Sequence, residues 1–77
     1  MAIEIKYFGM LTGITGKSSE AVEAQPDLEG MMKLLKEMHP GLSVVRFSVS
    51  LNQRLVHDNP KLSDGDEIAL LPPFAGG

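Results

Sequence analysis

From the amino terminus, apolar and polar residues first alternate, with Ile3, Ile5 and Tyr7 on one side of the pattern and Glu4, Lys6 and Phe8 on the other. A period of two marks a strand with one buried face, so residues 3–8 are expected to form the first strand. Gly9, Gly13 and Gly16 punctuate the next stretch, which reads as a loop over 9–17. SSEAVEA, residues 18–24, is a thinner second strand, expected to pair antiparallel with the first because it follows closely in sequence. The period then changes. Leu28, Met31, Leu35 and Met38 recur at helical spacing, flanked by Met32 and Leu34, while Lys33, Lys36 and Glu37 take the other face. Asp27 is placed to cap this helix, and Pro40 with Gly41 ends it. VVRFSVSL, residues 44–51, sets Phe47, Val49 and Leu51 against Ser48 and Ser50 and reads as a strand. Asn52 and Gln53 make a turn, RLV a short return strand, SDGDE a second turn and IALL the last strand.

Two strands, a helix, then two or three strands predict an α+β chain, a mixed sheet of four to five strands with one main helix on one face. That order is the β-grasp, or ubiquitin-like, plan. The 77 residues suffice for a single domain over 1–77, because a chain this short buries only about 60% of its unfolded surface and cannot divide it between two cores. Residues 72–77 are read as an extended tail. There is no cysteine, so neither disulfides nor a Cys-based metal site holds the fold, and packing of the apolar residues must do so. A net charge of -3 and scattered Lys and Arg oppose binding to nucleic acid, which requires clustered cations. The start MAIEIKYFG lacks the basic and long apolar regions of a signal peptide, and no apolar run approaches bilayer length. A cytoplasmic protein without a membrane partner is expected.

Several motifs invite chemical readings that their context weakens. GITGKS resembles a phosphate-binding loop, but that motif needs glycine where Leu11 stands, and a helix where a strand-like segment follows Lys17. His39 and His57 lack a sequence-near Asp or Cys and read as solvated surface histidines. Asp64, Asp66 and Glu67 read as solvated acids of a tight turn in which Gly65 supplies a positive φ, so no metal site is assigned. The helix methionines read as core filler. With no thiol and no Ser-His-Asp set, no side-chain nucleophile is assigned.

Two residues break the strand alternation. If Ile3, Ile5 and Tyr7 face the helix, Phe8 points the other way; if Ile68 and Leu70 face inward, Leu71 points outward. In a β-grasp sheet the first and last strands are neighbours, so Phe8 and Leu71 are expected to form one exposed patch, joined by Leu55, that docks another protein. Pro72 and Pro73 have no N–H to donate and end the ladder. Phe74, Ala75, Gly76 and Gly77 then reach roughly 13 Å beyond them, and the two glycines can thread a channel too narrow for a Cβ. The reactive group is then the α-carboxylate of Gly77. Activation by ATP as an acyl adenylate, followed by persulfide attack, gives a thiocarboxylate on a chain that has no cysteine of its own.

The segment LSDGDEIALLPPFAGG, Leu62 to Gly77, closely resembles the carboxyl terminus of the small subunit of molybdopterin synthase, the MoaD-type sulfur carrier. IKYFGML resembles that family's first strand, DLEGMMKLLKEMHP its helix, and VSLNQRLV its Val-Asn segment, with Leu51 and Asn52 as the apolar-Asn pair. The resemblance implies that Gly77, preceded by Gly76, is adenylated by an E1-like MoeB-type enzyme, with AMP as a transient group and no permanent cofactor. A persulfide donor protein then supplies the sulfur. It also implies insertion of the tail into a large MoaE-type subunit, which holds the catalytic pocket, so that this chain is a sulfur-donor subunit rather than the catalyst. There the thiocarboxylate supplies sulfur to cyclic pyranopterin monophosphate within a heterotetramer. Phe8, Leu55 and Leu71 fall at the family's sheet-face contacts, and Pro72, Pro73, Phe74 and Ala75 lead to its channel; Phe74 stands where a smaller apolar residue is common. Two other readings stand beside this one. One is a related carrier or modifier for thiazole synthesis, tRNA thiolation or lysine conjugation, against which the two prolines argue. The other is a stand-alone binding module whose terminal glycines are accidental.

Overall fold

The computed structural model describes residues 1–73. Its elements are β1 (Ala2–Tyr7), α1 (Met10–Thr15), β2 (Ser19–Glu23), α2 (Leu28–Met38), a 3-10 turn at Pro40–Val44, β3 (Ser48–Leu51), β4 (Arg54–Leu55) and β5 (Glu67–Leu71). They build a five-stranded mixed sheet in the order β2-β1-β5-β3-β4, with one main helix laid on one face, as the β-grasp plan requires. β1 runs antiparallel to β2 and parallel to β5, and β5 runs antiparallel to β3. The expected adjacency of first and last strands is therefore met at the centre of the sheet.

Strand parity sets the core. Ile3, Ile5 and Tyr7 of β1, Val22 of β2, and Ile68 and Leu70 of β5 are buried together with Leu28, Met31 and Leu35 of α2. Met38, expected on the same stripe, is 43% exposed at the end of the helix. Asp27 caps α2 by accepting from the Gly30 N–H at 2.9 Å. A second cap comes from a distant loop: Asn59 Oδ1 accepts from the Glu29 N–H at 2.8 Å, and Asn59 Nδ2 donates to Asp27 Oδ2. Two of the orphan donors that open any helix are thus satisfied.

Two expectations are corrected. Residues 9–17 are not an open loop, because Met10–Thr15 forms α1, whose Leu11 is fully buried and whose Ile14 packs on the core. Gly9 before it and Gly16 after it take positive φ, so these glycines bracket a helix instead of dissolving one. The strand expected over 44–51 begins only at Ser48. Pro40, at the first position of the 3-10 turn, redirects the chain so that Leu42 is buried and Val44 is 84% exposed. Gly41 permits this corner to close on α1, since a Cβ there would lie 2.8 Å from Ile14 Cγ2.

Asn52 and Gln53, both at positive φ (51° and 71°), form the two-residue turn between β3 and β4. Asn52 also joins this turn to the acidic one. Its Oδ1 accepts from the Glu67 N–H and its Nδ2 donates to Asp66 Oδ1, each at 3.0 Å. The acids of that turn are consequently structural and not merely solvated: Asp64 Oδ1 accepts from the Ala2 N–H at 2.7 Å and Asp66 Oδ2 from the Ser63 N–H at 2.8 Å. Gly65 has the expected positive φ, at 88°. The bonds from Asn52 first, and then from Ser63, hold the Asp66 carboxyl below the usual range.

Candidate functional site: the open sheet face and the tail exit

The face of the sheet turned away from α2 is set by the same parity. The registers align Lys6 with Ala69, Ala69 with Ser50, and Ser50 with Leu55, giving one row across four strands. In the next row Leu71 lies opposite Ser48, and the Phe8 N–H donates to the Leu70 carbonyl at 3.1 Å, which carries the β1–β5 ladder one residue further. Phe8 and Leu71 therefore stand side by side at one end of this face. Phe8 is 45% exposed and Leu71 half-buried. Leu55 is 47% exposed but sits apart, two strand spacings (roughly 10 Å) from Leu71 and one row along. Between them lie Ala69 and Ser50, both buried, so the floor of the patch is made of small side chains. Lys6 and Glu67 pair across β1 and β5 at 3.5 Å at its border.

The chain leaves the sheet beside this patch. β5 ends at Leu71, Pro72 is half-buried and Pro73 is exposed. Phe74, Ala75, Gly76 and Gly77, to which the sequence assigns the span and the reactive terminus, lie outside the described residues.

Sequence reasoning missed a polar cluster under the same end of the sheet. Glu20 faces the helix layer opposite Ile5, and its carboxylate accepts from the Tyr7 hydroxyl (2.5 Å) and Lys17 Nζ (3.2 Å) and meets His39 Nε2 at 2.7 Å. His39 is thus no solvated surface residue: its side chain is 13% exposed, and its ring stands edge-on to Tyr7 with centroids 5.8 Å apart. Burial pushes the Glu20 pKa upward, but the bonds from Tyr7, His39 and Lys17 outweigh it and the carboxyl titrates below its ordinary value. Burial first, then the bond to Glu20 and its charge, raise the Tyr7 hydroxyl far above the usual phenol range, so it remains a donor. The signal was present in the sequence, since an inward Val22 requires an inward Glu20.

On the helix layer an open groove of about 630 Å³ is lined by Leu28, Met32, Lys33, Lys36, Glu37 and Asp58 among others. Its charges are of both signs. Among the described residues no cluster of His, Cys, Asp and Glu is arranged to hold a metal ion, and no helix is long and apolar enough to cross a membrane.

Residues 5–77 match the ThiS family model. The chain belongs to the ThiS family. The human molybdopterin synthase sulfur carrier subunit is 33% identical to this ThiS-family chain, the match covering 97% of it and 93% of the human protein. Among solved structures, the chain resembles that of the complex of subunits 1 and 2 of molybdopterin-converting factor from Helicobacter pylori. That match has 29% identity and a TM-score of 0.75, and it covers both chains in full. It also resembles the small archaeal modifier SAMP1 from Haloferax volcanii, at 26% identity and a TM-score of 0.81 over the full length of both.

Proposed function

We propose that this chain is the sulfur carrier subunit of a molybdopterin synthase, acting through the α-carboxylate of Gly77. The observation that carries the reading is the placement of the tail exit. Leu71 and Pro72 leave the central strand immediately beside the exposed Phe8, so a partner that covers the patch also receives the tail. The full-length likeness to a human sulfur carrier subunit and to one member of a two-subunit complex supports it.

A carboxylate is a poor electrophile, so the first step joins it to AMP from ATP, releasing pyrophosphate, in the site of an E1-like MoeB-type enzyme. A persulfide sulfur from a donor protein then displaces AMP. Cleavage of the new S–S bond by a second thiol leaves the thiocarboxylate and a disulfide. The loaded tail enters the MoaE-type large subunit, whose pocket conducts the transfer to cyclic pyranopterin monophosphate in a heterotetramer of two small and two large subunits. The supply of ATP and thiols places this work in the cytoplasm. No side chain of the carrier takes part in the bond changes; its role is to dock and to deliver.

Incubation with the activating enzyme, ATP and a sulfur donor is expected to give an oxygen-for-sulfur mass increase confined to the terminal peptide ending at Gly77. An unchanged peptide, with each partner active on a known carrier, would sink the reading. The likeness to SAMP1 favours a second reading, in which the activated terminus is joined to lysine amines. Isopeptide-linked adducts of Gly77 recovered from cells would support it, and their absence alongside thiocarboxylate would leave the carrier role alone.

A further inference from the structure

Gly9 stands between the docking strand and the tail, and nothing in the carrier chemistry assigns it a role. It follows Phe8 at the end of β1, with φ 58° and ψ -135°, and the Leu11 N–H closes a tight turn onto the Phe8 carbonyl at 3.1 Å. This is the first central position of a type II′ turn, which suits glycine or a D-residue. A Cβ built there would lie 2.6 Å from Pro72 Cγ and 3.5 Å from Pro72 Cδ, closer than packed atoms allow. The first proline of the tail thus rests where a side chain on residue 9 would be.

We propose that Gly9 is a positioning residue for the carboxyl-terminal tail: its bare α-carbon is the seat on which the Pro72 ring packs, and that contact sets the direction in which the chain leaves the sheet. The inference rests on the reading of the tail as the reactive element. The ladder ends at Leu71, and prolines donate no backbone bond, so the tail's heading beyond the sheet depends on side-chain packing. α1 makes the seat rigid. It starts one residue later, is anchored by buried Leu11, and is tied to β1 by the bond from Thr12 Oγ1 to the Tyr7 carbonyl at 3.1 Å. Phe8 and Gly9 are consecutive, so docking of the patch and aiming of the tail are fixed by one turn.

The contact is tested first without any activity. In the full-length chain, a nuclear Overhauser effect between Gly9 Hα and the Pro72 ring protons is expected, and its absence overturns the proposal. Gly9→Ala should lose that contact and slow thiocarboxylation at Gly77 by roughly tenfold to a hundredfold, the scale of a misplacement of about 1 Å. The loss should fall on kcat more than on KM, because Phe8, Leu55 and Leu71 are untouched. A synthetic chain with D-alanine in place of Gly9 suits the same φ and ψ and projects its methyl away from Pro72, so it should keep both the contact and the rate. Pro72→Ala, which removes the ring and leaves the core intact, should also slow the reaction. Wild-type rate in Gly9→Ala or in Pro72→Ala, or equal loss with L- and D-alanine, overturns the proposal. Failure of the wild-type chain to gain sulfur at all would instead strike the carrier reading, leaving the Overhauser result to be judged separately.

Discussion

At the scale of single residues, Glu20 shows how a charge is kept at a half-closed site. Three donors surround its carboxylate, and the ionised form is favoured despite burial. The folded-state pKa lies below the ordinary carboxyl value of 4.5. The resulting stabilisation is therefore complete above that value and is lost as pH falls through the folded-state pKa. Asp27, mainly through the Gly30 N–H, and Asp66, mainly through Asn52, are shifted in the same direction and add to the same slope. Denaturation midpoints followed from neutral pH into the acid range should fall, and Glu20→Gln should flatten part of that fall; an unchanged slope would show that the cluster contributes nothing. Gln53 is the converse case, a non-glycine residue held at φ 71°. Gln53→Gly should raise stability by about 0.5–1 kcal/mol, because relief of about 1–2 kcal/mol of left-handed strain outweighs the roughly 0.5–1 kcal/mol of extra entropy that glycine loses. Equilibrium urea unfolding measures this directly.

At the scale of elements, legibility followed periodicity. β1, α2 and β5 carry patterns long enough to state their own period, and they form as expected. α1 was hidden because three glycines fall among Gly9–Lys17 and its six residues give a single turn and a half of pattern; burial of Leu11 and closure against Gly41 make it a helix. The early start expected for β3 failed because Val44 and Val45 are apolar, yet Pro40 had already committed the chain to a 3-10 turn. Within the candidate site, Phe8 and Leu71 were legible from strand parity alone. The seat at Gly9 was not, because its partner Pro72 lies at the other end of the chain. Asn59 was equally silent, for a cap supplied from a remote loop leaves no local spacing to read. Asn59→Ala should cost about 0.5–2 kcal/mol, the range for loss of a helix cap, seen as a lower thermal midpoint with the binding of partners unchanged.

At the scale of the whole molecule, one layer is closed by α2 and the other face is left open. Phe8→Asp and Leu71→Asp should weaken binding to the proposed large subunit by at least about tenfold, since a charge tolerated in water becomes costly when a partner dehydrates it. Melting temperatures should move little, because neither side chain belongs to the buried core. Calorimetric titration with the large subunit decides the matter, and undiminished affinity in both variants would remove the patch from the interface. The strand order carries a further consequence, for the way the molecule is made. β2 with β1 and β3 with β4 are two antiparallel pairs, and among the described residues β5 is the strand that joins them. β5, made after the other four described strands, is thus the middle of the sheet. A chain cut short before Glu67 holds these two pairs with no common ladder, so copies terminated that early should be cleared as unfolded polypeptide.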